Sequence, residues 1–563
     1  MLGKRFELIL HKNTQPSQNP FGELSSIALA MLTLALNEPN RPAFCNLSTE
    51  DIEGQQWFSW GQIANWVCDA CVAIESTNLP TGTHLATVEN NSVEWFVLDF
   101  ACQALGYVHV AIDHRWPDPM IARLIEQSQS QVVYNLRLAT SSNFGQLENV
   151  ITLDWQLNWK APSVNIGELD RLIERAMSIS KHQPAQMLFT SGTSGEPKGV
   201  LLSHRNLVSN AFAKLEAAPQ YAQDLRLNIL PFCHAYARTC ELSTWVLSKS
   251  RLAIANGWND FIRQARELQP TLINLVPHLA SKLLHHEKSK QQLAPSEIAS
   301  RLGGKVRLLQ VGGAPLPDDL WYELDKSGLP PLQGYGLTEA SPVVCSNRAG
   351  KQRPGTIGPP VAGVELRVDA LGQLWVRGDG IMLGYYGDQA ATQSRIEDGW
   401  LATGDLVERD EFGHYRLKGR ISEFVVLSTG RKVTPELIEG RLENIGCIDR
   451  ALIAGEDRPH IVALIWPAWS NLPSSLFADD SRDYHSLDLG AFHRLLADLI
   501  HHALADLPYY VHPRKFIVVC ESMDSSLVTP KGSLRRKLAI SRYRSQIDNA
   551  YSVTPNICDT SSS

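Results

Sequence analysis

The sequence predicts an α/β protein in which a large multi-layer N-terminal region of β-sheets and helices carries a small β-barrel-like subdomain, with an α+β region after it. Three observations predict this. A strand at Thr83–Asn90 (THLATVEN), an apolar-periodic helix in VEWFVLDFACQALG and a strand at Tyr107–Ile112 (YVHVAI) make the βαβ unit of a parallel sheet. The same rhythm returns at Arg226–Phe232 (RLNILPF), Thr271–Pro277 (TLINLVP) and Lys305–Pro315 (KVRLLQVGGAP), with helix-like sequence between them. From about Gly355 the texture turns to short strands with Gly and Asp turns, VELRVDALGQLWVRGDG and then HYRLKGR, which reads as an antiparallel or barrel-like appendage. After Arg420 comes a last α+β segment, and the polar, Ser-rich tail from about Tyr551 reads as frayed.

Composition narrows the function classes. With 52 Lys+Arg against 59 Asp+Glu the net charge is −7, so no basic footprint argues for nucleic acid. A chain of 563 residues that is 44% hydrophobic can cover several cores, which excludes a disordered protein. The longest apolar stretch, Leu24 to Leu36, is broken by Ser and Thr and falls short of the roughly 18 to 20 residues that span a bilayer. It reads as a buried helix. Lys4 and Arg5 are followed by Glu7, His11 and Lys12 rather than by an apolar core, so no secretory signal is expected and the predicted location is cytoplasmic. Ten cysteines, mostly scattered in apolar runs, fit small buried hydrophobes. Cys68 and Cys71 stand at helical spacing with no second ligand pair, so a metal or redox role is not expected of them.

The most informative segment is QMLFTSGTSGEPKGVLLSH, Gln186 to His204. An apolar strand runs into a loop with Gly192, Gly195 and Gly199, the hydroxyls of Thr190, Ser191, Thr193 and Ser194, and one cation, Lys198. Glycines let backbone N–H groups approach a polyphosphate, hydroxyls donate to its oxygens and the lysine supplies charge. It is not a Walker A loop, because Pro197 precedes Lys198 and Gly199 follows it.

These residues resemble the adenylate-forming superfamily, whose phosphate loop [ST]SG[ST][ST]GxPKG is matched by Thr190–Gly199. Further motifs follow in the family's order. LPFCHAYAR (Leu230–Arg238) is similar to the aromatic and histidine motif beside the acyl site, and VGGAPL (Val311–Leu316) to the adenine-pocket turn. QGYGLTE (Gln333–Glu339) resembles the nucleotide and metal motif, TGD (Thr403–Asp405) the ribose motif, and Gly419–Glu439 the hinge with the loop after it. Within the superfamily, ENNSVEW, VLSTGRKVTPE and GEDRPHIVALIWP look most like the long-chain acyl-CoA synthetases.

The resemblance implies the roles. Thr190, Ser191, Gly192, Thr193, Ser194 and Lys198 would bind the ATP phosphates. Gly313, Ala314 and Pro315 would line adenine, with Tyr335, between Gly334 and Gly336, stacked on it. Thr338 and Glu339 would be catalytic, Glu339 as ligand to Mg2+, a hard cation that prefers carboxylate oxygen. Asp405 is suited to accept from both ribose hydroxyls, and Arg420 to give a bidentate contact to ribose or phosphate. Taken alone, Asp405 and Arg420 read as surface turn residues. His234 reads equally as a structural histidine and as a substrate contact, while Phe232 and Tyr236 would shape the acyl wall. His278, His285, His286, His501 and His502 lack ligand-like spacing.

One departure from the family concerns the reactive cation. In LVTPKGSLRRK (Leu527–Lys537) the position of the family's catalytic lysine holds Ser533, and the nearest lysine is Lys531. Two residues along an extended chain keep the same face and shift Cα by about 6 to 7 Å, so Lys531 is the expected substitute. Position 422, two after Arg420, is also a serine where the hinge usually has Asp or Lys.

The implied organisation is an adenylation domain over residues 1–420 and a mobile C-terminal domain over 421–563. The implied reaction is ATP-dependent activation of a carboxylic acid, a medium- or long-chain fatty acid by resemblance, to acyl-AMP, followed by transfer to coenzyme A. Two alternatives stay open: loading of an acyl carrier protein, and a lapsed acyl- or nucleotide-binding protein suggested by Ser533. No transmembrane segment is expected, and peripheral membrane contact stays open.

Overall fold

The computed structural model describes residues 24–46, 56–134, 150–159, 165–191, 197–284, 293–421, 425–433, 435–479, 486–521, 523–528 and 534–552. The chain folds as two compact units. The first takes the described residues through Thr190, then Pro197–Thr403 and Val407–Leu417; the second takes Ser191, Gly404–Leu406 and the chain from Lys418.

The first unit is built on two large sheets. One has seven strands in the order Gly384–Tyr385, Pro197–Ser203, Pro184–Ser191, Val108–Asp113, His84–Glu89, Val132–Tyr134 and Ile151–Thr152. The other has eight, in the order Val343–Ser346, Leu332–Gly336, Leu308–Val311, Leu272–Leu275, Leu225–Asn228, Arg251–Ile254, Pro42–Asn46 and Gln56–Ser59. Their central strands are parallel, as the βαβ rhythm predicts. A third, five-stranded sheet is led by the antiparallel pair Val364–Val368 and Gln373–Gly378, which is the expected β appendage.

Local sequence explains the main elements. The Val93–Leu105 helix begins where Ser92 Oγ accepts from the Trp95 amide and ends at Gly106, whose φ of 74° suits glycine. It is buried almost all round, which its near-continuous apolar run requires. The Leu24–Leu36 stretch becomes the helix Ile27–Asn37, capped by Ser26 and buried along most of its length. Cys68 and Cys71 lie buried on the helix Trp60–Glu75, and burial pushes the Cys68 thiol up to about 12, so both behave as inert packing residues.

A buried ionic group ties the two large sheets together. Asp99, on the Val93–Leu105 helix, accepts from Gln103 Nε2 at 2.8 Å and lies 2.9 Å from His109 Nδ1 on a strand of the seven-stranded sheet. It is also bonded through both oxygens to Arg238, in the segment that leaves the eight-stranded sheet. The imidazole's other nitrogen reaches Thr87 Oγ1 at 2.8 Å. A second clamp is Asn91, whose Oδ1 accepts from the Phe232 amide and whose Nδ2 donates to the Leu230 carbonyl, both at 2.8 Å.

The second unit has its own core around the antiparallel pair Ile448–Ala454 and Val462–Pro467, extended by the parallel strand Lys515–Val518. The helices Pro435–Glu443, Leu489–Ala503, Arg536–Arg542 and Arg544–Ser552 complete it. The expected frayed tail from about Tyr551 begins within the helix Arg544–Ser552, and residues 553–563 lie outside the described part. No described helix is long and apolar enough to cross a membrane.

Burial alone would raise the Asp99 pKa, yet Arg238 and His109 outweigh it and hold the carboxyl below its ordinary value. Its stabilising contribution is therefore present above the ordinary carboxylate pKa and lost as pH falls through the lowered folded value. Asp99→Asn leaves a buried guanidinium unpaired, so it should cost about 3 to 5 kcal/mol near neutral pH. The measurement is the thermal midpoint of parent and variant between pH 7 and 3; the gap should be large at neutral pH and narrow at the acid end.

Candidate active site

Several candidate residues gather where parallel strands end, the edge at which ligands bind in open α/β sheets. Glu89 pairs with Asp113, and Ala111 pairs with Leu188 two residues before Thr190. Asp113 and Thr190 therefore finish side by side. Ser191 is the last residue of its strand, while Gly192, Thr193 and Ser194 lie outside the described residues.

Lys198, expected in the loop, instead stands at the start of the strand Pro197–Ser203. Its Nζ lies 3.0 Å from Asp388 Oδ2 and 5.2 Å from the centre of the Tyr385 ring. Asp388 also caps the helix Gln389–Arg395, accepting from the Ala391 amide at 2.9 Å. Gly199 is required by packing, because a Cβ there would stand 2.8 Å from Met187 Sδ.

The QGYGLTE segment forms the strand Leu332–Gly336 and then the 3₁₀ turn Thr338–Ala340. Gly336 admits no side chain, since a Cβ would fall 1.9 Å from the Pro342 carbonyl oxygen. Asn210 fastens the turn by donating to the carbonyls of Ala340 and Val343. Thr338 is half-buried and Glu339 is 8% exposed. The Tyr385 hydroxyl donates to Glu339 Oε1 at 2.7 Å. Among the described residues no basic side chain is ion-paired with Glu339; its bonded donor is the neutral Tyr385 hydroxyl, to which Arg395 also bonds. A hard divalent cation such as Mg2+ fits that carboxylate.

The segment expected to line adenine is a turn at the end of a strand. Gly313, Ala314 and Pro315 are exposed after the strand Leu308–Val311, and Gly313 has a φ of +83°. A Cβ on Gly312 would stand 3.1 Å from the Tyr236 ring, so the aromatic of the PFCHAYAR motif rests on this turn. Tyr335 and Gly334 are half-buried and Gly336 is exposed. Behind Tyr236 is a buried relay: Asn274 donates to Glu241 Oε1 at 2.7 Å, and Arg226 stands 3.5 Å from Glu241. Burial pushes the Glu241 carboxyl up to about 7 despite the arginine.

His234 is held rather than loose. Its Nε2 lies 3.5 Å from Asp113 Oδ2 and 3.4 Å from an Arg115 nitrogen. Donor atoms of Asp113, Cys233 and His234 lie within 4.8 Å of one another, a spacing that could take a metal ion. Arg115, however, binds both Asp113 oxygens, at 2.6 and 2.9 Å, so the carboxylate is already neutralised. The arrangement is an electrostatic clasp on His234.

In the second unit Asp405 is buried and accepts from Arg420 Nε at 2.7 Å. The two ribose candidates therefore bond to each other. Lys531, Ser533 and Ser422 lie outside the described residues, as do His285 and His286. His501 and His502 are exposed on the helix Leu489–Ala503.

Sequence reasoning missed Tyr385, Asp388, Asp113 and Arg115. A tyrosine after glycine in GYYGD carries no spacing signal. A strand ending in a carboxylate with arginine two residues on, at Asp113 and Arg115, is a cue that could have been read.

Residues 33–386 match the model of the AMP-binding enzyme, and residues 422–554 that of the AMP-binding enzyme C-terminal domain. The chain belongs to the AMP-binding enzyme family. It is 25% identical, over 87% of its length and 91% of the relative's, to the long-chain-fatty-acid–CoA ligase FadD15 of Mycobacterium bovis. It is 23% identical to the chloroplastic long-chain-fatty-acid–[acyl-carrier-protein] ligase AEE15 of Arabidopsis thaliana, over 88% of this chain and 82% of that one. Among solved structures it is similar to the O-succinylbenzoate coenzyme A synthetase of Bacillus subtilis in complex with ATP and magnesium ion. There the TM-score is 0.68 at 19% identity, over 90% of this chain and 98% of that one. The fold is thus that of adenylate-forming ligases.

Lys198→Ala should raise the ATP concentration needed for half-maximal turnover about 10- to 100-fold, as expected for losing a charge-assisted contact to phosphate. A thermal midpoint close to the parent's would separate this from misfolding, since the lysine is paired only at the surface.

Proposed function

We propose that this ligase joins ATP and a carboxylic acid, a medium- or long-chain fatty acid, into acyl-AMP and then transfers the acyl group to coenzyme A. The observation that carries the reading is the meeting of Lys198 and Glu339 across Tyr385, a cation and a buried carboxylate, with Lys198 on the strand next to the one that ends in Thr190 and Ser191. The fatty-acid class is supported by the names of relatives about a quarter identical.

In this mechanism Lys198 and the hydroxyls from Thr190 to Ser194 hold the β and γ phosphates. Gly313, Ala314, Pro315 and Tyr335 seat adenine, Asp405 accepts from the ribose hydroxyls, and Arg420 adds a contact to ribose or phosphate. Thr338 and Glu339 border the phosphates, and Glu339 would hold a Mg2+ that, when bound, would supply charge neutralisation there. His234, fixed by Asp113 and Arg115, faces the acid. The acid's carboxylate attacks the α-phosphorus, the bond to the β-phosphate oxygen breaks and pyrophosphate leaves, with Lys531 stabilising the charge that develops. Such catalysis is positioning and electrostatics rather than proton transfer. Coenzyme A thiolate then attacks the acyl carbon and AMP departs. The C-terminal domain, from about Ile421, turns between the two steps and withdraws Lys531.

A carrier-protein thiol as acceptor is the second reading, favoured by the similarity to the acyl-carrier-protein ligase. Pyrophosphate release from ATP, followed with a series of carboxylic acids with and without coenzyme A, tests the scheme. Release that depends on fatty acid and quickens with coenzyme A is expected; release that quickens only with a carrier protein favours the second reading. No release with any acid identifies a lapsed enzyme.

Lys531→Ala should slow adenylate formation by about 10²- to 10³-fold, the loss expected for one electrostatic stabiliser. Thioester formation from supplied acyl-AMP should stay near the parental rate. Loss in Lys537→Ala instead would place the reactive cation elsewhere, and a gain only in Ser533→Lys would make Lys531 an incomplete substitute.

A further inference from the structure

The segment Met382–Asp388 joins two parts of the site that are far apart in sequence. The Met382 amide donates to the Glu339 carbonyl at 2.9 Å, and Gly384 and Tyr385 pair antiparallel with Leu201 and Val200. The Tyr386 amide donates to the Gly199 carbonyl at 2.8 Å, and Asp388 receives Lys198. Backbone ladders therefore fix where the Tyr385 side chain stands, and Thr392 Oγ1 accepts from the Tyr385 amide at 2.9 Å. The hydroxyl of this buried ring points at one oxygen of Glu339, while Lys198 lies over its face.

We infer that Tyr385 is a positioning residue: its hydroxyl pins Glu339 Oε1 so that the carboxylate presents Oε2 to a divalent cation on the nucleotide phosphates. The inference rests on the reading of Glu339 as the Mg2+ ligand. Tyrosine suits the task because its donor is neutral. It orients the carboxylate without cancelling the charge the cation needs, as an arginine there would. Tyr385 does not touch nucleotide in this scheme; it acts through Glu339.

The test is ATP binding by equilibrium dialysis across a Mg2+ titration, for the parent, Tyr385→Phe and Glu339→Gln, with catalysis not required. Phenylalanine keeps the ring that Lys198 covers and removes only the donor. Tyr385→Phe should need about tenfold more Mg2+ for half-maximal binding, as for loss of one hydrogen bond to a charged acceptor. Its ATP affinity at saturating Mg2+ should stay within about twofold of the parent's. Glu339→Gln should be shifted further. A Tyr385→Phe curve that coincides with the parent while Glu339→Gln is shifted overturns the role of Tyr385 and leaves that of Glu339 standing. Coincidence of the Glu339→Gln curve with the parent overturns the Mg2+ reading itself. If Tyr385→Phe proves unstable in a melt without ligand, Tyr385→His, which keeps a ring and a donor, takes its place. Its titration should lie nearer the parent than Glu339→Gln does, and a curve as displaced as that of Glu339→Gln overturns the inference.

Discussion

A fully buried carboxylate, Asp99, is the constraint on which the first unit's site depends. It sits on a helix of one layer, bonded to His109 on the seven-stranded sheet and to Arg238 beyond the eight-stranded one. Taking such charges out of water is costly, and the arrangement is favourable only because every partner is in place. The same rigidity serves the site, because Arg238 closes the motif that carries His234 and Tyr236. Asn91 grips Leu230 and Phe232 just before them, so the segment is held at both ends. Strand ends bearing Asp113 and Thr190 and the residues of the adenine turn thus belong to one braced frame.

The two motif cations Lys198 and Arg420 each have a carboxylate partner. Lys198 shares Asp388, and Arg420 shares Asp405, each through a partly exposed cation. Exposed ion pairs are weak, because water screens them and ordering long side chains costs entropy. Lys198 can therefore leave the exposed Asp388 at little expense, whereas the Asp405 that holds Arg420 is buried. His234 contrasts with Lys198: its partner Asp113 is buried and doubly bonded to Arg115, so the imidazole has a fixed neighbour.

The legible part of the molecule is the part governed by local periodicity. The strands His84–Glu89 and Val108–Asp113 and the helix between them follow from an alternation of apolar runs and glycine or serine boundaries. Gly336 and Gly313 enter the sequence reading through their motifs alone, and the fold supplies the reason for glycine: close approach to Pro342 at the first and a positive φ at the second. Tyr385 was not, because its role arises from a third segment laid across two others, which no local pattern encodes. Lys198 reads as a loop residue from the glycines and hydroxyls before it, whereas the fold makes it the beginning of a strand that pairs with Gly384–Tyr385. The mutual bond of Asp405 and Arg420 is of the same kind: each matched its motif, and only the fold shows that they meet.

The measurement closest to the central claim is rapid quench of the purified protein with ATP, Mg2+ and a long-chain fatty acid in the absence of coenzyme A, read by mass spectrometry. Acyl-AMP and pyrophosphate should form in equal amounts, and the acyl-AMP should be consumed when coenzyme A is added. ADP and phosphate in place of AMP and pyrophosphate would contradict the claim.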